Sequence, residues 1–255
     1  MKDVFKVALP IAFGSRCAYA EWEMLTFFAA TLGPAEAAAW AVMGFVWDVF
    51  ESTTEAIGES SELRVAYHLG KGRPAMAKLA AYKSIILGAV VSIFMAIIFI
   101  SLIDILPALM TRDVTMQTML EEIFPLVALG NVAMSMGMIC WHVIGAQGRY
   151  HLSTTVAIVI SFVLTIPLGA IMTIGLNINL QGLAFSAVTG YTVIAMILFA
   201  LILMSDWEKL SEKIQRQVAS GEISLSDSSC DESSCSSTGS YHDRKLTTHG
   251  LNPHS

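Results

Sequence analysis

Charge is what this chain has least of, and the shortage is regional. Only 14% of its 255 residues are Asp, Glu, Lys or Arg, where a soluble domain carries about 25%. Residues 84–103, 123–148 and 153–205 contain none of the four. An apolar run of roughly 20 residues crosses a bilayer as a helix. The third run is long enough for two crossings, with GLNINLQG (175–182) as the polar turn between them. With 55% hydrophobic residues and a mean hydropathy of +0.62, the pattern excludes an ordinary soluble domain.

Other absences narrow the function. No nucleic-acid partner is expected, although the net charge of −6 does not bear on this, because the excess acid sits in the spans and the tail. The four cysteines, Cys17, Cys140, Cys230 and Cys235, divide between spans and tail and suggest no disulfide framework. They do not make a zinc-ligand spacing either. No nucleotide-binding loop, catalytic triad or metalloenzyme motif occurs, so the expectation is a non-enzyme without cofactor or metal. The N-terminal stretch lacks a continuous apolar core with a small-residue cleavage site, which speaks against a cleaved signal.

What is present reads as an all-α polytopic membrane protein, a six-transmembrane-helix bundle with spans near 4–32, 35–68, 84–106, 119–145, 153–175 and 180–204. Basic residues cluster in alternate connections. Lys2 and Lys6, then Arg64 to Lys83, then Arg149, then Lys209 to Arg216 fall on one side, and only Arg112 falls on the other. The excess of Lys and Arg marks the inside, so both termini are expected to be cytoplasmic. Residues 206–218 repeat Trp207, Leu210, Ile214 and Val218 at helical spacing, which predicts an amphipathic helix lying on the inner leaflet. Residues 219–255, Ser-rich and poor in large apolar groups, read as a disordered cytoplasmic tail.

The second span is unusual. WDVFESTTEAIGESSELRV (47–65) places acids at 48, 51, 55, 59 and 62. At about 100° per residue these fall within roughly an 80° arc of one helix face. A carboxylate at mid-bilayer costs roughly 2.5–3.5 kcal/mol on insertion scales, so such a stripe faces a cavity rather than lipid.

The end of that helix carries further information. RVAYHLGKGRPAMAKLAAYKS (64–84) resembles the R-V-G-x-x-L-G-x-G loop of the multidrug and toxic compound extrusion (MATE) family, with Arg64, Gly70, Gly72 and Lys78 in register and Ala66 replacing a usual glycine. ALPIAF with Pro10, GAQGRY (145–150), TIPLGA with Pro167 and QGLA (181–184) match other short signatures of the family's C-terminal half, in order. The resemblance implies one six-helix lobe of a twelve-helix transporter whose substrates cross between two lobes. A missing N-terminal lobe, or a second lobe, is therefore an expected partner, together with the lipid bilayer. It also implies secondary antiport, the efflux of a small organic cation, xenobiotic or metabolite driven by a proton or sodium gradient. The membrane would be the plasma membrane or an internal one such as the vacuole.

The family's eukaryotic members commonly place acids at positions corresponding to 18, 23, 45 and 134. Here those positions hold Ala18, Glu23, Phe45 and Met134, so only Glu23 is kept. Glu21, three residues after Ala18, looks toward the same side one turn along. Glu21, Glu23, Asp48, Glu51 and Glu55 are therefore the candidate cation- or proton-coupling residues. Arg16 is a candidate counter-charge for Glu23. Glu59 and Glu62 are expected to be solvated and paired with Arg64. Trp40, Trp47, Met134 and Met138 are candidates for the substrate wall, because tryptophan faces attract organic cations and methionines adapt to varied shapes. Trp141 and His142, late in the fourth span, read as structural.

Two other readings remain open at this stage. One is an exporter of lipid-linked oligosaccharides, whose cavities tend to be basic. The other is a truncated, non-transporting protein that regulates a full-length relative.

Overall fold

The computed structural model describes residues 20–176 and 178–219. Pro10, Arg16, Cys17, Ala18, Cys230, Cys235, the start of the first span and the tail beyond 219 lie outside the described residues. Among those described there is no strand. Helix α1 covers 20–32, followed by α2 (Pro34–Gly70), α3 (Pro74–Ser101), the short α4 (Leu106–Met110), α5 (Val114–Ala146), α6 (Tyr150–Gly175), α7 (Leu180–Leu203) and α8 (Trp207–Ala219).

Helices α3, α5, α6 and α7 are each long and apolar enough to cross a membrane by length and composition. Helix α2, with 37 residues, is long enough as well, but its acids set it apart. The described residues through Arg216 form one compact unit, and Gln217 opens a second, of which the described part is the last turn of α8.

Local chemistry sets most helix ends. Pro34 and Pro74 sit in the first turns of α2 and α3, where a missing N–H costs nothing. Asp113 caps α5 by accepting the Thr115 N–H at 2.9 Å. Gly72 and Gly148, at φ +67° and +71°, turn the chain between α2 and α3 and between α5 and α6. A side chain there would sit in the left-handed region that glycine tolerates. The third span begins ten residues before its charge-free run, because Met76 to Lys83 continue the helix past the apolar stretch. It ends at Ser101, and α4 occupies part of the connection expected to be span or loop.

Helix α2 packs along α5 and α3, and α5 in turn packs along α7. Two buried clusters result. One joins Trp40, Met43 and Trp47 of α2 to Phe124 of α5 and Leu183 of α7; the other joins Val65 and Leu69 to Ala77, Val143 and Leu198. Apolar burial drives no association inside lipid, so close packing between small residues matters more. A Cβ on Gly137 of α5 would stand 3.7 Å from Ala195 Cα of α7, in ordinary van der Waals contact, so small residues face each other between these two helices. The outward faces carry exposed Ile86, Val90, Phe94 and Ile97 on α3, as lipid contact requires.

Part of the apolar side of helix α8 docks on the bundle, a contact that the expectation of a helix lying on the leaflet did not include. Trp207 is buried in the second cluster, and Ser211 donates to the Leu69 carbonyl at 2.9 Å.

Candidate functional site

Between α1, α2, α5, α6 and α7 lies a cavity of about 440 Å³. The acid stripe reaches it because α2 turns a different face to its neighbours. Trp47, Phe50, Thr54, Gly58, Ser61 and Val65 are buried against the other helices. Asp48, Glu51 and Glu55 lie beside that face and line the cavity. Glu21 of α1 joins them from across the space. No Lys or Arg is among the described residues that line it, and His142 is the only basic side chain there.

Glu21 is the most enclosed of these acids, with 5% of its surface exposed. Its Oε2 accepts a hydrogen bond from Ser161 Oγ, the Thr165 hydroxyl also acts on the carboxylate, and among the described residues Oε1 has no hydrogen-bond partner of good geometry. Ser161 opens a π-helical segment of α6 (Ser161–Thr165), and a second such segment, Ile171–Gly175, follows Pro167. Single π turns re-aim side chains and recur at functional sites. Here the wider turn holds Ser161 toward α1.

The remaining wall is aromatic. Trp22 meets Trp47 edge-on at 5.7 Å between centroids, and Trp47 meets Tyr191 of α7 in the same manner at 5.6 Å. Trp47 Nε1, like Glu21 Oε1, is buried without a hydrogen-bond partner among the described residues. Met134, Met138 and Trp141 of α5 complete the lining. A space with four carboxylates, a run of three aromatic rings joined through Trp47 and two thioethers suits a soft, apolar-bodied cation.

A second cluster sits at the end of the cavity toward the α2–α3 connection. His142 Nδ1 lies 2.8 Å from Glu62 Oε2, and Tyr150 OH donates to Glu62 Oε1. Helices α2, α5 and α6 thus meet at one carboxylate.

With that geometry in hand, comparison with known proteins decides the family. Residues 10–171, more than half of the chain, match the MatE family model. The chain belongs to the MatE family. This is a family of transporters and not of enzymes, and the protein is a multi-pass membrane protein. Among curated relatives, this MatE chain is 27% identical over 199 residues to the uncharacterized transporter C4B3.13 of Schizosaccharomyces pombe, covering 78% of the chain and 37% of that protein. It is 23% identical over 168 residues to Protein DETOXIFICATION 14 of Arabidopsis thaliana, covering 66% and 35%. The crystal structure of the eukaryotic MATE transporter AtDTX14 superimposes with a TM-score of 0.77 at 21% identity, over 86% of this chain and 49% of that one. A MOP superfamily transporter from Pyrococcus furiosus, described as having a binding pocket of reverse polarity, gives 0.72 at 15% identity. These likenesses support the six-helix lobe as a fold. The chain spans about a third of the length of the curated relatives it matches.

In this MatE lobe, the sequence candidates divide. Glu21, Asp48, Glu51, Glu55, Trp47, Met134 and Met138 line one cavity. Glu23 does not; it is exposed on another face of α1, because two residues turn a helix by about 200°. Trp40 is also not a wall residue. It is 1% exposed, stacks behind Trp22 at 4.9 Å and donates Nε1 to Thr26 Oγ1 at 3.1 Å. Glu62 pairs with His142 rather than with Arg64, because α2 turns residue 62 toward α5 while Arg64 is exposed. Of the loop motif, Gly70, Gly72 and Lys78 are exposed around the α2–α3 turn, where Gly72 supplies the positive φ.

Sequence reasoning missed Trp22, Ser161 and Tyr191, and read His142 as structural. A polar residue on an otherwise apolar helix was the available signal for Ser161. Nothing in the sequence placed it opposite Glu21.

Proposed function

We propose that this chain forms the cation-coupling lobe of a secondary antiporter, exchanging an organic cation for a proton or sodium ion. The supporting observation is Glu21, a carboxylate almost fully enclosed, with one oxygen unpartnered and no Lys or Arg lining the cavity among the described residues. An uncompensated buried charge costs several kcal/mol. The carboxylate is therefore relieved by a proton or by a bound cation, and competition between the two is exchange.

The other acids extend the same logic along the cavity. Asp48, Glu51 and Glu55 follow one another at about one helical turn each, so a cation leaving Glu21 finds a graded series of acceptors. The aromatic wall of Trp22, Trp47 and Tyr191 selects an organic body over a bare ion. The acidity also weighs against a lipid-pyrophosphate exporter, which needs basic groups for its anionic head. The basic-residue asymmetry supports cytoplasmic termini, with the Glu62 end of the cavity facing the cytoplasm.

The test is charge-neutral replacement, Glu21→Gln, Asp48→Asn, Glu51→Gln and Glu55→Gln, made singly in the natural full-length form. Gradient-driven efflux of ethidium, a fluorescent organic cation, is expected to fall at least about tenfold in Glu21→Gln with surface expression unchanged. Undiminished efflux in all four variants would sink the proposal.

A further inference from the structure

The cluster of Glu62, His142 and Tyr150 is not needed to bind a cation, yet it is built with care. His142 belongs to both sites. Its ring lines the acidic cavity, and its Nδ1 lies on Glu62, outside the lining. The two side chains differ in their access to water, with 14% of His142 and 26% of Glu62 exposed. The imidazole is thus the partition between the cavity and the more hydrated carboxylate.

Two glycines make the arrangement possible. A Cβ on Gly58 of α2 would overlap the imidazole at Cδ2 and stand 3.0 Å from Cγ and 3.1 Å from Nε2. The ring therefore lies directly on the backbone of the acid-bearing helix. A Cβ on Gly145 of α5 would overlap the Tyr150 ring, standing 2.6 Å from Cε1 and 2.7 Å from the hydroxyl. Tyr150 folds back over that gap to reach Glu62. Removing either gap would displace one of the two groups that hold the carboxylate.

We propose that His142 is the proton relay between the cavity carboxylates and Glu62 at the cytoplasmic mouth, with Tyr150 positioning Glu62 to receive the proton. This rests on the cation-coupled reading of the cavity and goes beyond it by giving the coupling ion a path. Imidazole suits the task because it carries two nitrogens with separate partners and changes charge near neutral pH. With Nδ1–H directed at Glu62, Nε2 is the nitrogen left for the cavity. A proton from Glu55, directly or through cavity water, forms an N–H bond at Nε2 and gives an imidazolium ion-paired to Glu62. Breaking the Nδ1–H bond passes that proton to the Glu62 carboxylate and then to water. A turn of the ring, on a helix face that bears no side chain at 58, then brings the remaining Nε2–H toward Glu62 and the bare Nδ1 toward the cavity, so the two nitrogens exchange roles in the next cycle. One proton enters and one leaves, and no redox step is involved.

The titratable groups around the ring come from several helices. Glu55 and Glu62 stand on α2, Tyr150 begins α6, and Tyr191 lines the cavity from α7. On α3, Lys78 and Lys83 are exposed. The ring therefore has acids on both its sides and no fixed cation among the described lining residues.

The test separates proton movement from substrate binding. Proteoliposomes holding the natural full-length form are loaded with ethidium and given either a pH gradient or no gradient with ethidium on both sides. Glu62→Gln, outside the cavity lining, is expected to lose at least about tenfold in pH-driven flux while ethidium–ethidium exchange stays within about twofold; His142→Gln, whose ring lines the cavity, is expected to lose at least about tenfold more in driven flux than in exchange. Tyr150→Phe is expected to keep driven flux but to shift its pH profile. Wild-type driven flux in His142→Gln between pH 5.5 and 8.5, or equal loss of driven flux and exchange in all three variants, would overturn the relay. So would a wild type driven by sodium alone, which leaves the antiport reading intact. A wild type that moves no ethidium under either gradient overturns both.

Discussion

Gly58→Ala offers a direct test of how closely α2 approaches His142. Alanine is the better helix former, by about 0.8–1.0 kcal/mol in a helix interior, and on that ground alone the change should stabilise. The structure predicts the opposite. The new methyl group would overlap Cδ2 of a rigid ring and crowd Cγ at 3.0 Å and Nε2 at 3.1 Å. If the helices separate to admit it, overpacking costs about 1–3 kcal/mol. If the ring swings away instead, the 2.8 Å contact with Glu62 is lost, and a hydrogen bond to a charged group is worth about 1.5–3 kcal/mol.

Either route offsets the helix gain, and the net loss is about 0–2 kcal/mol if the helices separate and about 0.5–2 kcal/mol if the hydrogen bond is lost. Gly70→Ala is the control, since a Cβ there meets nothing within 4 Å. It should be neutral or slightly stabilising. Melting in detergent, followed by fluorescence-detected size exclusion, should separate the two variants by roughly 2–4 °C per kcal/mol. His142→Ala should remove most of the penalty of Gly58→Ala, because the obstructing ring is gone. If Gly58→Ala melts at or above Gly70→Ala, the α2–α5 geometry is wrong, and the relay geometry falls with it.

Two further outcomes follow from packing outside that cluster. Trp22→Ala should weaken ethidium binding about tenfold by removing a cavity face, whereas Trp40→Phe should lower the melting temperature and leave affinity unchanged; equal affinity losses in a fluorescence titration would refute the distinction. At the start of α8, Asp206 accepts the Lys209 backbone N–H at 3.3 Å and pairs with its ammonium at 2.8 Å. Lys209 holds the Asp206 carboxyl below its ordinary 3.8, and Asp206 holds Lys209 above its ordinary 10.5. The acid's contribution is complete above 3.8 and lost as pH falls through the lowered value; the base's is complete below 10.5 and lost as pH rises through the raised one. Amide exchange in the first turn of α8, corrected for intrinsic rates, should therefore be level from about pH 5 to 9 and faster throughout in Asp206→Ala. A step near neutral pH would contradict this.

Much of the fold was legible because bilayer crossing is a one-dimensional constraint. A charge-free run of sufficient length is a span wherever it packs, and residues 84–103, 123–148 and 153–205 announce α3, α5, α6 and α7. The helix ends were less legible, since hydropathy marks the lipid-facing part and not the hydrogen-bonded turns beyond it. That is why α3 starts at Pro74. The docking of α8 was hidden for a related reason. An amphipathic face reads the same whether it meets a leaflet or another helix, and the Ser211 bond to Leu69 depends on a partner 142 residues away.

The candidate site shows the same division. Helical spacing in the sequence put Asp48, Glu51 and Glu55 on one stripe, and the cost of charge in lipid required that stripe to face a cavity. The family motif after Arg64 supplied the class of protein. Only the tertiary structure decided which neighbours meet the stripe. It set Ser161 opposite Glu21, kept Trp40 behind the wall, left Glu23 outside, and joined Glu62 to His142 rather than to Arg64. Periodicity fixes the angle of a side chain about its own helix, but the rotation of each helix against the others comes from small residues such as Gly58 and Gly145. Their role is visible only once the rings of His142 and Tyr150 are seen lying on them.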